Sequence, residues 1–347
     1  MSLDATGIRT MTVAAATTAA ALQIDCTAEA ERISRWIVDT LVNRLRRRGL
    51  VVAISGGIDS SVCAALAVRA VGPKRVFGLL MPERESSSSG TERAMALAAH
   101  LGIAHETFDI TAALEALGCY ERRDAAIRRV FSSYGDGWRN KIAIAGGTQG
   151  GINFFKLVVQ SPAGKTEEAR LPLREYLEIV AATNFKQRIR KTMDYFHADR
   201  LNYAVVGTPN RLEYDQGFFV KGGDGLADLK PIAHLYKTQV YAMARALGLP
   251  ADICMAQPTT DTYTLPQGQD EFYFALPYPQ MDLALWSMDH AVSPAELASG
   301  LGTGEHEASR IYADIAAKRR AARYLHAPPE TIEPVGVSAE SSASARA

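Results

Sequence analysis

The sequence predicts an α/β fold with a doubly wound parallel sheet, and three observations carry that prediction. Short apolar runs at 51–54, 75–81, 104–110 and 203–207 alternate with segments of helical periodicity, the pattern of parallel strands joined by right-handed crossovers. The first run stops at Ser55, two glycines follow, and Asp59-Ser60-Ser61 opens a helix reading 62–71. Polar loops leave the second and fourth runs at their carboxyl ends, where open α/β sheets bind ligands.

Taken in order, residues 1–26 read as a flexible leader: the stretch 11–25 is dotted with Thr, has only Arg9 before it, and lacks the apolar core of a signal segment. From 27 to 49, with Thr27 as the expected cap, Ile33, Ile37, Leu41 and Leu45 recur at helical spacing. The run Arg46-Arg47-Arg48 reads as a solvated helix C-terminus that complements the macrodipole. The first strand, the glycine loop and helix 62–71 follow, then strand 75–81, the loop Met81 to Gly90, helix 91–101 and strand 104–110. Residues 112–183 read as an insertion, with turns at Tyr134 to Gly137 and Gly146 to Gly151, a strand at 154–160, a turn at 161–164 and a hairpin partner. Periodicity returns with helix 184–200, carrying Lys186, Arg188, Arg190 and Lys191, then strand 203–207, a glycine-rich loop at 218–228 and a helix over 237–247. Further helices are expected near 281–286 and over 305–324, and a disordered Ser/Ala-rich tail over 331–347. Residues 27–330 therefore form one domain with an insertion and a helical C-terminal region.

Composition narrows the partners. Lys plus Arg equals Asp plus Glu at 38 each, so nothing calls for nucleic acid or an acidic membrane surface, and the balance favours small ligands. No run is long enough to span a membrane. The 4 cysteines, Cys26, Cys63, Cys119 and Cys254, are scattered without zinc-site spacing, which fits a reducing, cytoplasmic setting.

The glycine loop favours an anion. Glycines let the backbone approach a ligand, the first helical N–H groups lack partners within the chain, and Ser55, Ser60 and Ser61 add hydroxyl donors. Asp59 supplies a carboxylate that could hold Mg²⁺ against phosphate oxygens. No Lys follows the glycines as a P-loop requires, and Ser stands where a dinucleotide fingerprint has its third Gly. The remaining pattern, S-G-G-x-D-S, resembles the pyrophosphate loop of ATP pyrophosphatases, which cleave ATP between the α and β phosphates.

Further motifs extend the resemblance: Leu80-Met81-Pro82 with its serine-rich loop, Asn184-Phe185-Lys186-Gln187-Arg188-Ile189-Arg190, Gly207-Thr208 with Glu213, Gly217-Phe218-Phe219-Val220-Lys221 with Gly223-Asp224-Gly225 and Asp228, Leu235-Tyr236-Lys237-Thr238, and Pro258-Thr259-Thr260-Asp261. In this order, over residues 30–325, the series resembles the NAD synthetase family. The resemblance implies a Rossmann-like, adenine-nucleotide-alpha-hydrolase-like domain that uses ATP and Mg²⁺ to condense nicotinic acid adenine dinucleotide with ammonia, through an acyl adenylate, giving NAD, AMP and pyrophosphate. It implies that Ser55, Gly56, Gly57, Asp59, Ser60, Ser61, Thr208, Lys237 and Thr259 bind ATP, and that Asp59 and Glu213 hold Mg²⁺. Arg188, Lys221, Asp228 and Lys318 would bind the acid, Asp59, Lys221 and Lys237 would be catalytic, and Tyr236 would pack. It also implies a homodimer with substrate sites at the subunit interface.

Three departures accompany the resemblance. Residues 112–183 exceed the corresponding segment of the short bacterial enzymes. Ala317-Lys318-Arg319 keeps the Lys but not the His of their C-terminal pair. The stretch before residue 50 is too short for a glutaminase domain, so free ammonia or a separate amidotransferase is the expected nitrogen source. Two other readings stay open: a paralogous amide ligase using the same adenylation on another acid or amine, and a nucleotide binder without catalysis.

Overall fold

A computed structural model describes residues 19–145, 154–256, 263–265, 268, 273 and 276–333. Residues 19–26, assigned to the leader by the sequence reading, join the packed chain: a 3-10 turn over Ala19–Leu22 buries Leu22, whose carbonyl accepts from Gln239 Nε2 at 3.0 Å. Asp25, rather than Thr27, caps the first helix, α1 (Cys26–Asp39), because its carboxylate accepts from both Thr27 and Ala28 N–H groups, at 2.9 and 3.0 Å. A π-helical turn over Thr40–Arg44 ends that helix before the arginine run. Arg47 therefore lies in the connection and donates to Asn202 Oδ1 at 2.6 Å.

Strand β1 (Leu50–Ala53), helix α2 (Ile58–Val71), β2 (Val76–Leu80), α3 (Ser88–Leu101) and β3 (Ala104–Thr107) follow in strict alternation. Within the stretch 112–183 lie α5 (Cys119–Arg128), after a short α4 (Thr111–Ala116), and an antiparallel sheet of β4 (Arg139–Ala145), β5 (Phe154–Gln160) and β6 (Thr166–Arg170). Helix α6 (Leu173–Leu201) starts directly after Pro172 and runs 29 residues, eleven earlier than its periodic part suggests. Then come β7 (Ala204–Val206), α7 (Arg211–Gln216), α8 (Lys237–Ala246), α9 (Ala251–Met255), α10 (Tyr278–Asp289), α11 (Pro294–Leu301) and α12 (Glu305–His326).

The main sheet is parallel, in the order β3-β2-β1-β7, with Leu50 beside both Val76 and Ala204. The chain steps outward from β1 to β3 and then returns to the far side of β1, so strand order reverses between β1 and β7. That reversal opens a crevice at the carboxyl ends of these two strands. The pleat sends Leu50 and Val52 to one face, against Ile33, Ile37, Val62, Leu66 and Met243, and Val51 to the other, with Ile110, Leu114 and Ala198. A further apolar cluster joins α10, α11 and α12, and another packs the antiparallel sheet on α5 and α6. Among the described residues no helix is long and apolar enough to cross a membrane.

Candidate active site

The loop between β1 and α2 is shaped by its own side chains. Ser60 and Ser61 donate to Gly57 O at 3.0 and 2.8 Å, and the Gly57 N–H donates to Ser55 Oγ at 3.2 Å. Gly56 turns the chain at φ +78°, and a Cβ there would stand 2.2 Å from Gly90 O, so only glycine lets the start of α3 close against this loop. Ser55, Gly57, Asp59 and Ser60 line a cavity of about 590 Å³ with Thr208 and Glu213. Gly56 and the buried Ser61 serve the shape of the loop.

Asp59 stands in the first turn of α2, where a carboxylate meets the positive end of the helix dipole. Its Oδ1 accepts from Asn210 Nδ2 at 3.0 Å, and its Oδ2 pairs with Lys237 Nζ. Asn210 is also the cap of α7: it accepts from Glu213 N–H at 3.2 Å, and Glu213 Oε2 accepts in return from Asn210 N–H at 3.1 Å. One amide thus ties Asp59 to Glu213. Lys237, fully buried as the first residue of α8, is held from behind by Asp282 of α10, whose two oxygens accept from the Lys237 and Thr238 N–H groups at 3.2 and 2.7 Å. Burial pulls the ammonium pKa of Lys237 down, but Asp59 and Glu213 more than offset it, so the group is held above its ordinary value and stays charged. Asp282 is pushed up to about 6 by burial, against the pull of the N–H donors of α8.

The other expected residues lie elsewhere. Arg188 and Lys221 meet each other, through Arg188 Nε donating to Lys221 O at 3.3 Å, on an exposed flank of α6 rather than on the cavity wall. The Lys221 ammonium reaches the end of α12, donating to Tyr324 O at 2.8 Å and Ala327 O at 3.1 Å. Asp228 accepts from Val205 N–H at 2.7 Å and Tyr195 OH at 3.2 Å, which fixes the end of the glycine-rich loop beside β7. Lys318 pairs with Asp314 at 2.6 Å and sits 5.0 Å over the Tyr273 ring; burial lowers its pKa against the pull of Asp314. Tyr236 packs in the C-terminal cluster. Thr259, with the rest of the 258–261 motif, lies outside the described residues.

Several side chains at or beside the cavity have partners that the sequence does not announce. Asn210 is the junction just described, and the spacing Asn210-x-x-Glu213 is itself a capping-box signal that could have revealed both α7 and the junction. Lys191 and Asp194 form a buried pair at 2.8 Å on the cavity wall, one turn apart on α6; burial raises the Asp194 pKa despite its lysine. Lys186, which the sequence places in the Asn184 to Arg190 motif without a role, is buried and bound to Glu83 and Glu85. A lone sequence offers no signal for such distant partners.

Comparison with known proteins adds to this geometry. The family model described as NAD synthase matches residues 29–129 and 151–322. The NH(3)-dependent NAD(+) synthetase of Rhizobium meliloti is 55% identical over 315 residues, covering 90% of this chain and 94% of that one. Two solved structures share the fold at 21% identity: NMN synthetase from Francisella tularensis, with a TM-score of 0.61 over 89% of this chain and 99% of its own, and the NH3-dependent NAD synthetase from Campylobacter jejuni in complex with the nitrate ion, with 0.59 over 89% and 100%.

Proposed function

The chain belongs to the NAD synthase family, and from that premise we propose that it amidates nicotinic acid adenine dinucleotide with ammonia and ATP, giving NAD, AMP and pyrophosphate through an acyl adenylate. The observation that carries the proposal is the Asp59 carboxylate, set at a phosphate-binding helix terminus and shared between Lys237 and Asn210 at the mouth of the β1/β7 crevice. A carboxylate is a poor acyl donor, so the reaction needs a leaving group. Attack of the acid's carboxylate oxygen on the α-phosphorus of ATP breaks the bond to the β-phosphate bridge and expels pyrophosphate. Ammonia then attacks the acyl carbon, loses a proton, and AMP departs.

In this scheme the protein positions and neutralises. The N–H groups at the start of α2, with the hydroxyls of Ser55 and Ser60, receive the polyphosphate, and Thr208 contacts it from the end of β7. Lys237, charged and paired with Asp59 just behind the cavity wall, is proposed to offset the negative charge that grows on the departing pyrophosphate. Mg²⁺ fits the donor set, because two hard carboxylates, Asp59 and Glu213, both line the cavity and are tied to one another through Asn210. Held by these two carboxylates, Mg²⁺ would complete its shell with phosphate oxygens and water. When bound, the ion would neutralise phosphate charge. Thr259 is proposed as a further ATP contact.

Arg188, Lys221, Asp228 and Lys318 are proposed to bind the acid, with Lys221 acting in catalysis once its ammonium leaves the α12 carbonyls. The flank of α6 that carries Arg188 also carries Leu173 and Leu177, 71% and 56% exposed, and this apolar surface supports a homodimer that completes the acid site. The nitrogen donor is free ammonia or a separate amidotransferase, and the enzyme is cytoplasmic. The test uses acid labelled with heavy oxygen in its carboxylate. One labelled oxygen should appear in AMP, and label confined to other products would overturn the adenylate.

A further inference from the structure

The phosphate-binding end of the cavity is framed by the loop of residues 82–87, and that loop is held by a buried group of charges with no part in the chemistry above. Glu83 and Glu85 project inward from it. Lys186 of α6, 1% exposed, contacts both, with Nζ at 3.0 Å from Glu83 Oε1 and 2.7 Å from Glu85 Oε2. From α5, Arg123 Nη1 stands 2.7 Å from Glu85 Oε2, and Tyr120 OH donates to Glu83 Oε2 at 2.6 Å. Arg123 is shared with Asp124, at 2.8 Å, and Arg84 stands 4.0 Å from Glu85 at the solvent edge of the group. Burial raises the Glu85 pKa, but Arg123 and Lys186 outweigh it and hold the carboxyl below its usual range.

The same loop reaches the cavity directly. Glu83 N–H donates to Ser86 Oγ at 3.1 Å, Ser87 caps α3 by accepting from Gly90 N–H at 3.2 Å, and Pro82, Ser86, Ser87, Gly90 and Thr91 all line the cavity. Gly90 in turn rests on Gly56 of the phosphate loop. A continuous path of contacts runs from the Lys186 ammonium, through two glutamates and a helix cap, to the backbone that receives phosphate.

We propose that Lys186 is a positioning residue for ATP: it clamps the 82–87 loop and the first turn of α3 onto α6, and so holds the cavity wall in the shape that ATP requires. Without its ammonium, Glu83 would keep only the Tyr120 phenol among these partners, and Glu85 would keep Arg123, itself shared with Asp124, and the more distant Arg84. The cheapest relief is movement of the loop into water, since its neighbour Arg84 already faces solvent. The inference rests on ATP being the ligand of the phosphate loop.

The test compares full-length wild type with Lys186→Met and Lys186→Arg in three measurements: hydrogen exchange across residues 82–91, affinity for a non-hydrolysable ATP analogue, and steady-state kinetics. Lys186→Met should lose protection over 82–91 in the free protein, regain it with saturating analogue, and raise the KM for ATP about tenfold or more with kcat little changed. Lys186→Arg should restore part of both. Unchanged protection, or lost protection with unchanged ATP affinity, would overturn the clamp, and a fall in kcat at constant KM would make Lys186 a catalytic residue instead. Should Lys186→Met not fold, Glu85→Gln loosens the same loop while leaving Lys186 on Glu83, with the same signs expected. A wild type that binds the analogue yet leaves nicotinic acid adenine dinucleotide untouched would refute the proposed reaction, while exchange and affinity would still decide the clamp.

Discussion

Replacing Lys237 by Met removes the cation that pairs with Asp59. The lysine is fully buried and the Asp59 side chain is 18% exposed, so the variant strands a mostly desolvated carboxylate whose remaining partner is the Asn210 amide. Breaking a fully buried pair costs about 3–5 kcal/mol; partial access of water to Asp59 reduces this to about 2–3 kcal/mol. For a chain of 347 residues that corresponds to a melting temperature lower by roughly 3–4 °C. Turnover should fall further, by about 10²- to 10³-fold, the loss expected when a preorganised donor to developing charge is deleted. Asp59→Asn alone should abolish turnover with the fold intact. The double variant Asp59→Asn/Lys237→Met replaces the ion pair with a neutral one, so it should recover most of the stability and none of the turnover. Mg²⁺ should raise the melting temperature of Lys237→Met more than that of wild type, because both carboxylates then face the cavity without an ammonium. Calorimetric melting and pyrophosphate release read these outcomes. A Lys237→Met protein as stable and as active as wild type would refute the reasoning.

Asn210→Ala should destabilise by about 1 kcal/mol through loss of the α7 cap, and lower turnover by more than that loss explains, because Asp59 and Glu213 are no longer joined; equal activity at saturating substrate would show that the junction is structural only. Asp282 sets a pH dependence: its carboxyl is raised from 3.8 to about 6 in the folded state. Between those values the folded protein binds more protons than the unfolded one, so this group's stabilising contribution is full below about 3.8 and is lost as pH rises through about 6. Asp282→Asn should flatten that part of the stability profile, as read from denaturant midpoints at stepped pH. A variant with the wild-type slope would assign the titration to another group.

Local physics was legible in the sequence, and distant partnership was not. The phosphate loop could be read from eleven residues, since glycine freedom, orphan N–H groups and a Ser/Asp helix start are all local, and the alternation of strands and helices gave the parallel sheet. The pairing of Asp59 with Lys237 joins residues 178 apart, and that with Asn210 joins residues 151 apart, so composition and periodicity could not reveal them. Lys186 shows the limit well: it stands in a legible motif with Arg188 and Arg190, yet its partners are two glutamates from a loop some hundred residues earlier. The start of α6 was obscured because its apolar residues spread around the helix, which packs on several neighbours at once. Capping information was present but misplaced by two residues at Asp25, and passed over at Asn210.

The central claim is an adenylating amidation of one particular acid. Its most direct test is a single assay with ATP, Mg²⁺ and ammonia that follows NAD, AMP and pyrophosphate together, with nicotinic acid adenine dinucleotide and nicotinic acid mononucleotide as alternative acids. Adenylating amidation of the dinucleotide gives NAD, AMP and pyrophosphate in equal amounts. Pyrophosphate release with the mononucleotide alone, or ATP binding without release from either acid, would contradict it.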